Sequence, residues 1–383
     1  MNRPLNVLQF TCPNGFYGAE RWIIALAKNL DPDSINCSLV ITREPGSGNE
    51  EVARHFRNLG KTVHEIPMVG RFDVRVIPQL CRLIKKENID IIHTHGYKSD
   101  ILGLIAARLS GIKAVSTPHG FVNVENWKLR LYYSLGNRFF KWFDIVAPLS
   151  QQLCKDVEEL GVKPSKIQYI QNGVDVDEIE ESKGEQRSDI QKPSGVKRIG
   201  FIGQITKRKN VGEILKIYEK ICLRHDNLEL IFLGDGELLE EYRKTAETMA
   251  NSNTIQFLGF QTDRLSWLGT FDLFVMTSSL EGIPRCMMEA MTMGVPVAAY
   301  KIPGIDQLIQ HNKTGLLAEY GNSKVLEEYW EKLLFNEDFS SQITASARRF
   351  ILENFSAHRM AQEYTKLFFD MVAAETEYAV NKP

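Results

Sequence analysis

The chain has 383 residues, of which 43% are hydrophobic and 25% are charged. That length predicts two domains, and the composition excludes a disordered or collagen-like chain. The 46 basic and 48 acidic side chains nearly cancel, so we expect no nucleic-acid partner. Residues 1–175 hold 22 Lys/Arg against 17 Asp/Glu, whereas residues 176–383 hold 24 against 31. The first half is therefore the half expected to face an anionic partner.

The cysteines and the hydropathy pattern bear on the cellular compartment. Six cysteines are scattered without a C-x-x-C pair, which is typical of a reducing cytoplasm and predicts no zinc site. The amino-terminal residues lack the apolar core of a signal peptide, and no stretch approaches the roughly 18 apolar residues of a membrane span. We expect a cytoplasmic protein, either soluble or bound peripherally to the inner face of the membrane.

Short apolar runs alternate with amphipathic stretches in the first half of the chain. Helices are predicted at residues 19–30 and 101–111. The strands predicted here are NVLQF (6–10), SLVIT (38–42), VHEIP (63–67), IDIIHTH (89–95), AVSTPHG (114–120) and DIVAPLS (144–150). Strands alternating with helices at this spacing predict a parallel, doubly wound sheet over residues 1–175.

The alternation breaks at residues 176–197, which are polar and lack apolar periodicity, and we predict a linker there. It resumes in a second doubly wound domain over residues 198–355. The strands predicted there are at 197–203, 228–234, 254–259, 273–278 and 296–300. A long helical stretch at about 340–375 leads us to expect that residues 356–383 pack back on the first domain. We expect two Rossmann-like domains that face each other across a ligand cleft.

The most specific motif is SSLEGIPRCMMEAMTMGVPVAAY, residues 278–300. A predicted strand ends at Ser279, a turn carries Glu281, and the following helix contains Glu289. A strand–turn–helix unit aims backbone N–H groups and a positive helix end at an anion. A carboxylate beside such a site is useful when the ligand also carries hydroxyl groups, as sugars do. The alternative is two solvated surface glutamates.

The Glu281-x7-Glu289 spacing resembles the signature of the retaining glycosyltransferases of family 4, which have the GT-B fold. Seven further blocks resemble that family in the same order: FYGAER (16–21), HTHGYKSD (93–100), TPHGF (117–121), QNGVD (171–175), GQITKRKN (203–210), LGDGE (233–237) and GIDQLIQHNKTGLLAE (304–319). The resemblance implies sugar transfer from a nucleotide diphosphate sugar to a sugar or lipid-linked acceptor hydroxyl. It also implies retention of anomeric configuration and a place in surface polysaccharide or glycolipid synthesis.

The resemblance also implies roles for individual residues. Glu281 and His119 are the expected catalytic residues. Glu281 is expected to form hydrogen bonds with hydroxyl groups of the donor sugar, and Glu289 with the ribose. The residues expected to bind the donor are Gly18, Gly203, Arg208, Lys209, Ser279, Gly282, Ile283, Pro284 and Glu289. Because Lys209 and helix termini would neutralise the diphosphate, we expect no cofactor and no metal ion.

Two positions depart from the family pattern. Gln204 stands where the family usually has Arg, and Gln307 stands where it more often has Glu. Lys207 and Arg208 are candidates to compensate for the charge that Gln204 cannot supply. The alternative for residues 207–209 is a solvated basic loop.

Three histidines fall at predicted strand ends. A lone histidine such as His119 is by default a buried residue in a satisfied hydrogen bond, whereas the resemblance implies that it orients the donor sugar or its acceptor. We expect His93 and His95 to point to opposite faces, so that at most one of them reaches the site. His95 and Tyr97 are assigned to the acceptor side. We find no third ligand at a spacing that suits a metal.

Residues 126–143 interleave aromatic and basic side chains. Such a segment is typical of an interface with an anionic membrane, and it is equally typical of core packing with solvated cations. Both interpretations stay open.

Three rival functions also stay open: a nucleotide-sugar epimerase or phosphorylase of the same architecture, a nicotinamide dehydrogenase, and a non-catalytic nucleotide-sugar-binding protein. The dehydrogenase is disfavoured because no G-x-G-x-x-G follows the first strand.

Overall fold

The computed structural model describes residues 3–13, 15–44, 50–70, 73–120, 139–183 and 190–380. The chain divides into two compact units. The first unit contains residues 1–173 and 357–383, and the second contains residues 174–356. Each unit is built on its own parallel six-stranded sheet.

The six strands predicted in the first unit are confirmed. They are β1 (Leu5–Thr11), β2 (Ile35–Arg43), β3 (Val63–Pro67), β4 (Ile91–His95), β5 (Lys113–Ser116) and β6 (Ile145–Val146), in the spatial order β3-β2-β1-β4-β5-β6. Because β2 and β3 lie on one side of β1 and β4 to β6 on the other, the strand order reverses between β1 and β4. Ligands of doubly wound sheets bind outside the carboxyl ends of the strands at such a switch point.

Helices cover the sheet of the first unit. They are α1 (Gly18–Asn29), α2 (Glu50–Asn58), α3 (Val76–Lys86), α4 (Tyr97–Ser110), α5 (Gln151–Glu159) and α14 (Ala357–Val380). Helix α14 packs against α1, and its Tyr364 and Phe368 are fully buried in the same apolar cluster as Trp22. The last helix of the chain therefore completes the core of the first unit.

The second unit has the same plan. Its strands are β7 (Lys197–Ile202), β8 (Leu228–Leu233), β9 (Ile255–Phe257), β10 (Leu273–Met276), β11 (Val297–Lys301) and β12 (Leu316–Glu319), in the order β12-β11-β10-β7-β8-β9. Its helices are α6 (Val176–Lys183), α7 (Val211–Cys222), α8 (Leu239–Glu247), α9 (Arg264–Leu268), α10 (Arg285–Met293), α11 (Ile305–Leu308), α12 (Ser323–Phe335) and α13 (Glu337–Asn354). The strand order reverses between β7 and β10, which places the second switch point there.

Two segments differ from the sequence prediction. Residues 176–183, predicted as linker, form helix α6, whose Ile179 is fully buried in the second unit. A single buried residue per two turns is too weak a pattern to reveal a helix from sequence. The carboxyl-terminal stretch is two helices rather than one, because α13 ends before the buried Phe355 and α14 begins after it. Within the described ranges, no helix is long and apolar enough to cross a membrane.

Candidate active site

Two loops meet at the switch point of the second sheet. Residues 203–210 follow β7, and residues 277–284 follow β10 and lead into α10. Because β7 and β10 are parallel neighbours, the two loops emerge at the same edge of the sheet. The backbone amide of Ser279 donates to the carbonyl of Arg208 at 2.9 Å, and the Ser279 hydroxyl donates to the same oxygen at 3.2 Å. The block at residues 203–210 and the glutamate motif at residues 278–300 therefore meet at one edge of the second sheet.

A buried ion-pair cluster lies at this edge. The Nζ atom of Lys209 is 2.6 Å from Oε1 of Glu281, and Nη1 of Arg208 is 3.2 Å from Oε2 of Glu281. The side chains of Lys209 and Glu281 are 8% and 7% exposed, whereas Arg208 is 41% exposed. Glu281 and Lys209 are therefore not solvated, contrary to the alternatives considered for each from the sequence. Arg208 brings a second cation close to the carboxylate, while Gln204 is exposed.

The electrostatics of the cluster keep Glu281 ionised. Burial alone would raise the pKa of the Glu281 carboxyl, but the positive charges of Lys209 and Arg208 outweigh burial and hold its pKa below the ordinary value. An ionised carboxylate beside two cations has a charge excess of one positive unit. That edge suits a ligand that carries both negative phosphate oxygens and hydroxyl donors.

Glycines let the neighbouring loops pack closely around this edge. Gly304, which follows β11, has a φ of 92°, and a Cβ there would lie 1.8 Å from the carbonyl oxygen of Gly282. Gly234, which follows β8, has a φ of 144°, and a Cβ there would lie 1.9 Å from the carbonyl oxygen of Gly203. Both positions require glycine for conformation and for space. By contrast, a Cβ on Gly282 would meet no other described atom within 4 Å, which leaves room for a ligand.

The second glutamate of the motif lies deeper, inside α10. Glu289 is 1% exposed. Arg264 donates to it from Nη2 to Oε1 at 2.6 Å and from Nε to Oε2 at 3.1 Å, and Arg285 donates from Nε to Oε1 at 2.9 Å. Burial would raise the pKa of the Glu289 carboxyl, but the two guanidinium groups hold it below its ordinary value. The alternative of a solvated surface glutamate is wrong.

The first unit presents its own loops at the switch point between β1 and β4. The loop after β1 leads to Gly18 at the start of α1, and the loop after β4 leads to Tyr97 at the start of α4. The strand register pairs Thr11 with His95 at the ends of β1 and β4. Gly18 is exposed, and a Cβ there would meet no atom of the described residues within 4 Å. Tyr97 is half-buried.

The histidines form one cluster at this edge, and one prediction about them is wrong. His93 and His95 do not point to opposite faces: their ring centroids are 4.3 Å apart. Residues two apart on a strand share a face, because only successive side chains alternate. Nδ1 of His95 is 3.2 Å from Nε2 of His119, which follows β5 and is half-buried. Burial lowers the pKa of the His119 imidazole to about 3, so the ring is neutral near pH 7.

The structure sorts the predicted site residues into two groups. In the second unit one edge gathers Gly203, Arg208, Lys209, Ser279, Glu281, Gly282, Ile283 and Pro284. In the first unit one edge gathers Gly18, His95, Tyr97 and His119. Sequence reasoning missed the arginine partners of Glu289 and the close packing at Gly304. It also missed Gln9, a polar residue in the middle of a buried strand, which was a visible signal.

Comparison with known families identifies the chain. The family model described as Glycosyltransferase Family 4 matches residues 16–178, and the one described as Glycosyl transferases group 1 matches residues 182–350. The chain belongs to glycosyltransferase family 4. The two matches divide the glycosyltransferase a few residues beyond the boundary between its two units.

Relatives of this glycosyltransferase include two named bacterial enzymes. UDP-Gal:alpha-D-GlcNAc-diphosphoundecaprenol alpha-1,3-galactosyltransferase of Escherichia coli is 29% identical over 326 residues, covering 78% of this chain and 80% of that protein. N-acetyl-alpha-D-glucosaminyl L-malate synthase of Bacillus anthracis is 27% identical over 333 residues, covering 83% and 84%. The solved structure of Anabaena Alr3699/HepE in complex with UDP-glucose matches with a TM-score of 0.79 at 19% identity, covering 97% of this chain and all of that one. The glycosyltransferase therefore has the GT-B fold.

Proposed function

We propose that this glycosyltransferase moves a sugar from a uridine diphosphate sugar to a hydroxyl group of a glycan acceptor, with retention of anomeric configuration. The observation that carries the proposal is the buried cluster of Glu281 with Lys209 and Arg208 at the edge of the second sheet. Uridine is favoured because the E. coli relative is named for UDP-Gal and HepE was solved with UDP-glucose.

The cations and the carboxylate of the cluster recognise different parts of the donor. Lys209 and Arg208 supply positive charge for the donor diphosphate, and that charge stabilises the leaving group. We therefore assign no metal ion and no cofactor to the reaction. The ionised Glu281 accepts hydrogen bonds from donor-sugar hydroxyls. A carboxylate held by two cations is a weak nucleophile, so we do not assign it to covalent attack.

Retention then follows from attack on the face that the leaving group occupies. The acceptor oxygen bonds to C1 of the sugar as the bond from C1 to the diphosphate oxygen breaks. The proton of the acceptor hydroxyl passes to the departing diphosphate oxygen. His119 is assigned to a hydroxyl of the donor sugar or its acceptor, and His95 and Tyr97 to the acceptor side.

Binding of the ribose is assigned to Glu289. Its two oxygens offer about four lone-pair positions, and three of them accept from Arg264 and Arg285. One lone pair on Oε2 therefore remains for a ribose hydroxyl without breaking either arginine pair. Gly282, Ile283 and Pro284 approach the donor by backbone, because they form the turn that leads into α10.

The acceptor is proposed to be lipid-linked and part of a surface glycan or glycolipid, reached by peripheral binding to anionic membranes. An apolar groove of the first unit supports this. It is lined by Leu104, Ile105, Arg108, Leu109, Phe139, Trp142 and Lys166. Trp142 and Leu109 are 57% and 70% exposed. Arg108 and Lys166 bring two positive charges against one carboxylate, Asp144, which pairs with Arg108 at 3.3 Å. Of the predicted membrane segment 126–143, residues 126–138 lie outside the described part of the chain.

A transfer assay tests the function. The purified protein is incubated with each of several UDP-sugars and with lipid extract, in excess EDTA, and products are identified by mass and by the NMR coupling of the anomeric proton. We expect a glycosylated lipid with the anomeric configuration of the donor. An inverted product, or activity restored only by added magnesium, contradicts the mechanism. Turnover of the donor to an epimer without acceptor supports the epimerase, and bound pyridoxal phosphate supports a phosphorylase.

Co-sedimentation tests the membrane proposal. We expect the protein to bind anionic liposomes at low salt and to be released at high salt, because the attraction is screened. Trp142→Ser should weaken binding, whereas Leu223→Ser, at a residue that is 81% exposed in the second unit, should not. Equal binding by the two variants contradicts a membrane role for the groove.

A further inference from the structure

Polar side chains are buried on the central strands of the first sheet, where a parallel sheet is normally apolar. Gln9 on β1 and His93 on β4 are register partners, and both are 0% exposed. His95 is 5% exposed. Burying polar groups costs free energy unless they form hydrogen bonds. Such a row is therefore expected to serve a purpose other than stability.

A chain of hydrogen bonds runs from Gln9 to His119. Oε1 of Gln9 is 2.7 Å from Nε2 of His95, and Nδ1 of His95 is 3.2 Å from Nε2 of His119. Burial lowers the pKa of His95 well below its ordinary value and that of His119 to about 3. Both rings are therefore neutral near pH 7, and each carries one proton on one of its two nitrogens.

The amide oxygen fixes where these protons lie. The structure places the amide oxygen of Gln9 against Nε2 of His95. An amide oxygen only accepts hydrogen bonds, so in this arrangement Nε2 of His95 donates to Gln9. Nδ1 of His95 is then unprotonated and must accept from Nε2–H of His119. The proton of His119 is therefore on Nε2, and its Nδ1 keeps a lone pair. No hydrogen-bond partner for that Nδ1 exists within the described residues.

The surrounding side chains hold this arrangement in place. The ring of Trp22 lies edge-on to His119 with centroids 5.1 Å apart, and it also packs against His95 at 5.3 Å. A separate chain occupies the third histidine: Nε2 of His93 is 2.8 Å from the Thr117 hydroxyl, which is 2.8 Å from the hydroxyl of Tyr364. His93 is thus kept out of the relay.

We propose that Gln9 and His95 are positioning residues that fix the tautomer of His119, so that its unprotonated Nδ1 accepts a hydrogen bond from a sugar hydroxyl. The proposal rests on the proposed function only for the identity of the ligand as a sugar. A neutral acceptor of this kind favours a hydroxyl group and disfavours a carboxylate or a methyl group at the contacted carbon. Gln9 and His95 thereby contribute to sugar specificity without touching the sugar.

The tautomer is measured directly, without substrate, on the full chain labelled with 15N-histidine. Long-range 1H–15N correlation spectra show which ring nitrogen carries the proton, and His119→Asn and His95→Asn assign the two rings. We expect Nε2–H on both His95 and His119 in the wild-type protein. A proton on Nδ1 of His119, or a charged ring near pH 7, overturns the proposal.

A variant tests the role of Gln9. Gln9→Met keeps the length of the side chain and removes the acceptor, so we expect a mixture of tautomers on His95 and His119. Ser38→Ala, which alters another buried polar residue of the same sheet, should leave the wild-type spectrum. Unchanged tautomers in Gln9→Met overturn the proposal.

Transfer kinetics give the second readout. Gln9→Met should lower kcat/KM by up to about tenfold, the value of one hydrogen bond. It should have no further effect in a His119→Ala background, because the two residues act through one interaction. Additive effects contradict the relay. If the wild-type tautomers are as expected but no sugar is transferred, the proposed function fails while the relay stands.

Discussion

Glu281→Gln removes the one negative charge that lies between two cations, Lys209 and Arg208, at the edge of the second sheet. Lys209 is 2.6 Å from the carboxylate and only 8% exposed, so the variant leaves a buried charge with reduced compensation. Breaking a buried ion pair typically costs about 3–5 kcal/mol. We expect a cost near the lower end, because the amide oxygen of glutamine still accepts a hydrogen bond from Lys209.

This cost predicts measurable changes in Tm and in the rate of sugar transfer. For a unit of this size, about 3 kcal/mol corresponds to a fall in Tm of roughly 6–12 °C. A nucleoside diphosphate brings negative charge to the same cations, so UDP should raise the Tm of the variant more than that of the wild-type protein. Sugar transfer should nevertheless fall by roughly tenfold to a thousandfold, because the charged hydrogen bonds that the Glu281 carboxylate accepts from the sugar hydroxyls are lost.

Scanning calorimetry with and without UDP, combined with the transfer assay, checks the prediction. The matched control is Glu319→Gln, at a 74% exposed carboxylate that pairs with Lys301 at 3.0 Å. Exposed pairs contribute little, so the control should change stability by less than about 1 kcal/mol. Wild-type transfer by Glu281→Gln, or an equal Tm rise with UDP in variant and wild type, would refute the assignment.

Three further predictions concern charge. Lys209→Ala should weaken the binding of UDP more than the binding of UMP in calorimetric titrations, and an equal loss of affinity for both would count against a diphosphate contact. Gln204→Arg should raise UDP affinity little if Arg208 already supplies the second cation, whereas a tenfold gain would show that the charge is missing. Burial raises the pKa of Asp100 to about 7. The protonated Asp100 carboxyl therefore contributes its full stability below the pKa it has in the unfolded chain, and this contribution is lost as the pH rises through 7. Asp100→Asn should thus raise the Tm at pH 8 but not at pH 4, because the amide oxygen still accepts from Thr94; a gain at both values would refute this.

Much of the fold could be predicted because each unit repeats a strong local pattern. All six strands of the first unit were visible as apolar runs, and the glutamate motif placed Glu281 in the turn before a helix. Strand β12 was not predicted, since it is only four residues long, Leu316–Glu319, and lies at the edge of its sheet. Helix α6 was not predicted because it buries little of its surface.

The site was harder to predict where it depends on contacts between distant segments. The spacing of Glu281 and Glu289 did not predict that Arg264, from α9, donates hydrogen bonds to Glu289. The polar Gln9 within an apolar strand was an anomaly that the sequence showed and the prediction ignored. Its partner is 86 residues away, and only the register of β1 with β4 brings them together.

Hydrogen–deuterium exchange in the presence and absence of UDP tests whether the edge of the second sheet binds the sugar donor, because it locates the bound nucleotide without requiring an acceptor. We expect UDP to slow exchange in residues 203–210 and 277–288, at the switch point of the second sheet. We expect no change in residues 316–322, which form and follow the edge strand β12. Protection confined to other segments, or no protection at saturating UDP, would contradict the claim that this edge binds the sugar donor.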